Sequence, residues 1–182
     1  GAWLTVRDRL KDFGLDYYRP LGDPSRFIHF LLNHFSHAKD ELVTPPQYRA
    51  YAEALEAEPD EKSRVLEVAR AFEVYENLLL ERKQLDFGAL ISETIRLFRE
   101  RPTVLAEFRK RFKYVLVDEF QDTNVAQYEL VKLLSGAEGN LTVVGDDDQS
   151  IYKFRGASVS NILAFKDDFP KAAQVFLTRN YR

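Results

Sequence analysis

Two adjacent carboxylates, Asp118 and Glu119, directly follow the apolar run Val115-Leu116-Val117 and open the polar stretch Glu119-Phe120-Gln121-Asp122-Thr123-Asn124. These residue types fit chemistry at phosphate. A hard divalent cation takes oxygen ligands, and a carboxylate at a rigid strand end supplies one. A second carboxylate beside it can polarise a water. For the isolated dipeptide the alternative is an acidic, solvated turn. Position favours chemistry, because ligands in open α/β sheets bind at the carboxyl ends of the strands.

Two more segments repeat the arrangement. The polar stretch 145–157, GDDDQSIYKFRGA, follows an apolar run at 141–144, and TRNYR at 178–182 follows another at 174–177. In a parallel sheet all three would line one edge. Within the second stretch Tyr152 and Phe154 alternate with Lys153 and Arg155. Interleaved rings and cations suit single-stranded DNA, the rings stacking on bases and the cations meeting phosphates. The carboxylates Asp146, Asp147 and Asp148 read by themselves as a solvated loop. His34, His37 and Asp40 share a helical spacing of three, but no partner set on a second helix completes a metal site, so they read as a helix face. The basic run Arg109, Lys110, Arg111 and Lys113 reads as a solvated helix end.

The elements that must position these residues follow from periodicity and punctuation. Apolar positions 27–35 follow Asp23-Pro24-Ser25, a helix start. A second helix is predicted from Pro46 and a third over 61–83, where Val68, Phe72, Tyr75 and Leu79 make one buried stripe. Asp86 is placed to cap a helix with the inner face Phe87, Leu90, Ile91, Ile95 and Phe98. A short helix after Pro102 carries Leu105, Phe108 and Phe112. Strands are predicted at 114–117, 141–144 and 174–177, the first as a buried strand. Between the first two, Asn124 with Gln127 three residues on forms a capping box; a further helix is predicted from Ser158. Strands alternating with helices predict an α/β fold with a parallel sheet. Three strands make an incomplete sheet.

Composition bounds the partners. The chain has 182 residues and a net charge of only -3, so contact with nucleic acid would rest on a local patch and stacking. Cysteine is absent, which excludes disulfides and thiolate metal sites. No apolar run is long enough to span a membrane. Methionine is also absent and the chain opens Gly-Ala, so the sequence reads as an internal fragment of a longer protein.

The three polar segments resemble, in order and spacing, the second, third and fourth motifs of superfamily 1 helicases of the UvrD/Rep/PcrA type. Residues 85–91, LDFGALI, resemble the return of that family's chain to its first ATPase domain. The resemblance implies a RecA-like (P-loop NTPase) parallel sheet with a mainly helical subdomain on its N-terminal side. It sets residues 1–84 as a helical 1B-like subdomain and 85–182 as part of the RecA-like domain 1A. It implies ATP and Mg²⁺ as cofactors, with Asp118 and Glu119 at the metal and Glu119 also activating water. Gln149 would sense the γ-phosphate, Tyr181 would stack on adenine, and Arg182 would act as an arginine finger. Gln121 and Asp122 would couple the sites, and Tyr152, Phe154 and Arg155 would meet DNA.

The implied function is DNA-translocating ATP hydrolysis with duplex unwinding, in repair or replication, on single-stranded DNA and duplex junctions in a bacterial or archaeal cytoplasm, near the nucleoid. Phe154 departs from the family's usual Trp and is also a feature of the helicase-nuclease branch, so a recombination subunit is the alternative. A non-catalytic DNA-binding or protein-binding module is another. No GxxxxGK[ST] loop occurs in the sequence. The fragment alone is therefore expected neither to hydrolyse ATP nor to unwind DNA.

Overall fold

The computed structural model describes residues 1–136, 139–146, 159–177 and 179. In chain order these form α1 (Ala2–Asp8), a 3₁₀ turn (Leu10–Phe13), α2 (Ile28–Asp40), α3 (Pro45–Ala54), α4 (Pro59–Glu81), α5 (Phe87–Glu100), α6 (Pro102–Arg111), β1 (Tyr114–Val117), a second 3₁₀ turn (Phe120–Asp122), α7 (Val125–Ser135), β2 (Asn140–Val143) and α8 (Val159–Asp168).

Helix starts follow local chemistry. Proline occupies the first turn of α3, α4 and α6, where its missing N–H would have had no partner. At α3 the Gln47 side chain accepts from both the Thr44 amide and the Thr44 hydroxyl, at 2.9 and 2.7 Å. The start of α2 differs from expectation. The Asp23 carboxylate takes the Ser25 amide and hydroxyl at 3.2 and 2.9 Å, closing a tight turn of its own. The helix therefore begins only at Ile28.

The stripe predicted on α4 is buried: Val68, Phe72, Tyr75 and Leu79 all lie in one cluster with Val6, Leu10, Phe13, Ile28, Leu31 and Phe35. The Phe35 ring stacks on Phe72 at 5.0 Å and lies 5.3 Å from Tyr75. Glu67, on the same helix, is 4% exposed. Its carboxylate accepts the backbone amides of Asp16, Tyr17 and Tyr18 at 2.7, 3.2 and 3.1 Å. A buried carboxylate is tolerated because it collects these donors, and it pins the long connection into α2.

β1 and β2 pair in parallel, Tyr114 with Asn140 through Val117 with Val143, and α7 makes the crossover. The described part is thus helix-rich with a small two-stranded parallel sheet, consistent with an α/β fold. Three expectations need correction. No strand forms over 172–177, where Val175, Phe176 and Leu177 are exposed. β-branched and aromatic residues favour a strand only where a neighbouring edge and a packed face receive them, and among the described residues neither does. β1 is not buried on both faces: Val115 and Val117 are half-buried, while Tyr114 and Leu116 stand out to solvent. On α5 the buried residues are Ala89, Ile95 and Phe98, whereas Phe87 and Leu90 are exposed. That helix packs on α2 and α7, which selects a narrower face than its apolar content suggested.

The C-terminal turn of α2 meets α4, α5 and α7 in a polar joint. Lys39 is 4% exposed, and its ammonium lies 2.5 Å from Glu76 and 2.7 Å from Asp86. Asp86 also takes the Tyr75 hydroxyl at 2.9 Å and, as the predicted cap of α5, the Ala89 amide at 2.8 Å. Burial alone would raise the Asp86 pKa, but Lys39, the Ala89 amide and the Tyr75 hydroxyl outweigh it and hold that carboxyl below its usual value. Burial pushes the Glu76 carboxyl up against the opposing pull of Lys39.

Candidate functional site

β1 ends at Val117, and the ladder continues past it. The Val144 amide donates to the Val117 carbonyl at 2.8 Å, and the Phe120 amide donates to the Val144 carbonyl at 2.9 Å. These bonds hold the two segments after β1 and β2 side by side. Phe120, 3% exposed, anchors the turn from below, its ring set edge-on against Tyr128 and Phe165 at 5.4 and 5.6 Å.

Between these anchors the backbone is forced into an uncommon conformation. Glu119 has φ 52° and ψ 43°, in the left-handed region. Leu42 and Lys83 are the other described residues other than glycine with positive φ. Both sit just beyond the C-terminal caps of α2 and α4, where a left-handed residue closes a helix. Glu119 closes no helix; it follows a strand. A residue with a side chain held there costs about 1–3 kcal/mol, and such strain gathers at functional sites.

The conformation is held by side chains. Gln121 is 2% exposed. Its amide nitrogen donates to the Glu119 carboxylate at 2.6 Å, and its amide oxygen accepts from the Asp146 backbone N–H at 3.1 Å. One buried amide therefore ties the acid after β1 to the loop after β2. Gly145 leaves room for it: a Cβ there would stand 2.9 Å from the Gln121 amide oxygen and 3.3 Å from its backbone nitrogen. Asp118 accepts the Glu119 amide at 3.0 Å, and Thr123 closes the turn by donating its hydroxyl to the Phe120 carbonyl at 2.7 Å. At the start of α7 the expected capping box is formed. The Gln127 amide donates to the Asn124 side chain at 2.8 Å, and the Gln127 side chain accepts the Asn124 amide at 3.0 Å.

Asp118, Glu119 and Asp122 are exposed and border a shallow depression lined also by Thr123, Gln127, Leu130 and Val131. Among the described residues no group of three or more His, Asp or Glu side chains stands ready to enclose a metal. Two adjacent carboxylates at an open strand end instead fit an ion that keeps most of its water and is bound together with phosphates, as Mg²⁺ is. His34 and Asp40 on α2 each have a partner within the protein. His34 shares a hydrogen bond with the Tyr48 hydroxyl at 2.8 Å, and burial, with His37 beside it, lowers its pKa. Asp40 accepts from the Asn124 side chain at 2.8 Å. In the basic run Arg109 donates to the Leu133 carbonyl at 2.8 Å.

The site residues expected from sequence thus divide in two. Asp118, Glu119, Gln121 and Asp122 are brought together on one turn. Gln149, Tyr152, Phe154, Arg155, Tyr181 and Arg182 lie outside the described residues. The sequence reading missed Gly145, Asn124 and Asp40 as parts of the site's support. A glycine directly after an apolar strand run was the one visible signal; the other two depend on a contact 84 residues apart in the chain.

Residues 15–170 match the family model described as the UvrD/REP helicase N-terminal domain. The chain is 43% identical over 178 residues to the ATP-dependent DNA helicase PcrA of Staphylococcus aureus, an alignment covering 98% of this chain and 22% of that protein. The protein of the same name from Staphylococcus epidermidis is 41% identical over the same length, with the same shares covered. The chain therefore spans about a fifth of the length of these relatives.

Proposed function

The chain belongs to the UvrD/REP helicase family, and from that premise we propose that it contributes part of the first RecA-like ATPase domain of an ATP-dependent DNA helicase. In this reading residues 1–84 are the 1B-like subdomain and 85–182 belong to domain 1A. The whole enzyme couples Mg-ATP hydrolysis to movement along single-stranded DNA and to unwinding at duplex junctions, in the cytoplasm. No described helix is long and apolar enough to cross a membrane.

The observation that carries the reading is the left-handed Glu119, fixed by a buried glutamine at a strand end. Asp118 is then the carboxylate that would help hold Mg²⁺, which when bound would supply charge to neutralise phosphate oxygens. Glu119 orients the attacking water and accepts its proton. Gln121 keeps that carboxylate aimed and, through Asp146, passes its position to the loop after β2. Asp122 lies on the same turn and shares the coupling role. Gln149, Tyr181 and Arg182 as nucleotide contacts, and Tyr152, Phe154 and Arg155 as DNA contacts, rest on motif order alone. Without a phosphate-cradling loop the 182-residue chain should show no DNA-stimulated ATPase of its own.

The assignment of Asp118 is tested by a Mg²⁺ titration. In the full-length protein Asp118→Asn should raise the Mg²⁺ concentration required for half-maximal hydrolysis by about tenfold or more. An unchanged Mg²⁺ requirement would remove Asp118 from the metal site.

A further inference from the structure

The helical part of the chain reaches the acid-bearing turn through the end of α2. Lys39 and Asp40 are consecutive there and point to different neighbours. Lys39 locks α2 to α4 and to the start of α5 through Glu76 and Asp86. Gly88 admits its methylenes, since a Cβ at that position would stand 3.0 Å from Lys39 Cβ. Asp40 accepts a hydrogen bond from the Asn124 amide nitrogen at 2.8 Å. Asn124 is 5% exposed and ends the segment that begins at Asp118. Both ends of its side chain are in use, the oxygen capping α7 through the Gln127 amide and the nitrogen held by Asp40.

We propose that Asp40 is a positioning residue for the acid-bearing turn. β1 fixes one end of the segment 118–124, Gln121 fixes its middle, and Asp40 fixes its far end through Asn124. A buried amide donor that loses its acceptor is costly, so removal of Asp40 favours conformers in which Asn124 turns to water and the 3₁₀ turn Phe120–Asp122 loosens. The turn's inward bonds, Phe120 to Val144 and Gln121 to Asp146, are then the ones that open. Lys39 anchors α2, so that Asp40 presents its carboxylate from a fixed helix. The consequence for hydrolysis rests on the function proposed above; the positional role does not.

Hydrogen exchange on the 182-residue chain tests the positional role. In Asp40→Leu the amides of Phe120, Asp122, Thr123 and Gln127 should exchange about tenfold faster, while α4 stays protected. Asp40→Asn keeps an acceptor oxygen and should restore wild-type rates. Asn124→Ser keeps a helix cap but removes the amide donor, and should reproduce the faster exchange at Phe120, Asp122 and Thr123, with Gln127 still protected, should Asp40→Leu fail to fold. Unchanged exchange at the turn, exchange raised equally in α4, or no rescue by Asp40→Asn overturns the proposal. In the full-length enzyme Asp40→Leu should lower kcat about fivefold with KM for ATP little changed, and Asp40→Asn should restore it. Equal loss in both variants contradicts a positioning role. Glu119→Gln tests the functional reading separately: normal turnover in that variant removes the hydrolytic role of the turn and leaves the exchange result standing.

Discussion

Phe72 on α4 and Leu116 on β1 are both large apolar residues in regular structure, yet one is 1% exposed and the other 76%. The helical region closes around its own aromatic core, with Phe35 stacked between Phe72 and Tyr75. The sheet region covers one face of two strands and leaves Tyr114 and Leu116 open. Shape is therefore kept in different ways. Packing holds the helices in place. At the strand ends a backbone ladder and a few buried amides, Gln121 and Asn124, do the holding. A packed core thus stands beside a turn built from hydrogen bonds.

Mutations can break that contrast. Phe72→Ala should cost about 3–5 kcal/mol in urea unfolding, because it opens a cavity in a stacked core. Leu116→Ala should cost less than about 0.5 kcal/mol, as an exposed substitution does. Similar losses at the two positions would show that the sheet face is covered in solution.

The joint between the regions comes next. Lys39→Met keeps the aliphatic stem but strands Asp86 and Glu76, and should cost about 3 kcal/mol near neutral pH. Its pH dependence has a definite sign. In the wild type the Asp86 pKa lies below the ordinary value near 4. Its contribution is complete above that ordinary value and is lost as pH falls through the lower folded value. Without Lys39, burial raises the folded pKa values of both carboxylates. The deficit of the variant should therefore be largest near pH 7 and shrink as the pH is lowered toward about 4. A deficit that grows on acidification would refute this account of the joint.

Smaller effects sharpen the description of the turn. Gly145→Ala forces a methyl to within hydrogen-bond distance of the Gln121 amide. It should cost about 1–2 kcal/mol and loosen Glu119. Glu119→Gly relieves left-handed strain of about 1 kcal/mol while losing a hydrogen bond of similar worth, so its stability should stay within about 1 kcal/mol of wild type. A large loss on Glu119→Gly would mean that Glu119 serves the fold rather than chemistry.

Sequence patterns reported the helical region well because its determinants are local. The stripe on α4 recurs at helical spacing, Asp86 precedes the helix it caps, and Asn124 and Gln127 stand at capping-box distance. Strands were harder. Residues 174–177 have strand-forming side chains, but a strand exists only with a partner edge, and that information is not local. Phe87 and Leu90 misled for a related reason: an apolar pattern does not say which neighbour will cover it. At the site, Asp118 and Glu119 were visible as residue types at a strand end. The left-handed backbone of Glu119, the bridge made by Gln121 to Asp146, and the hold of Asp40 on Asn124 arise from contacts between distant segments. None of those contacts leaves a spacing signature.

In the proposed function Glu119 activates the water that attacks the nucleotide. Nucleotide binding and DNA-stimulated phosphate release, measured side by side on full-length Glu119→Gln, test it most directly. Binding should stay within about twofold of wild type while release falls by about 10²–10⁴. Phosphate release close to the wild-type rate would contradict the claim.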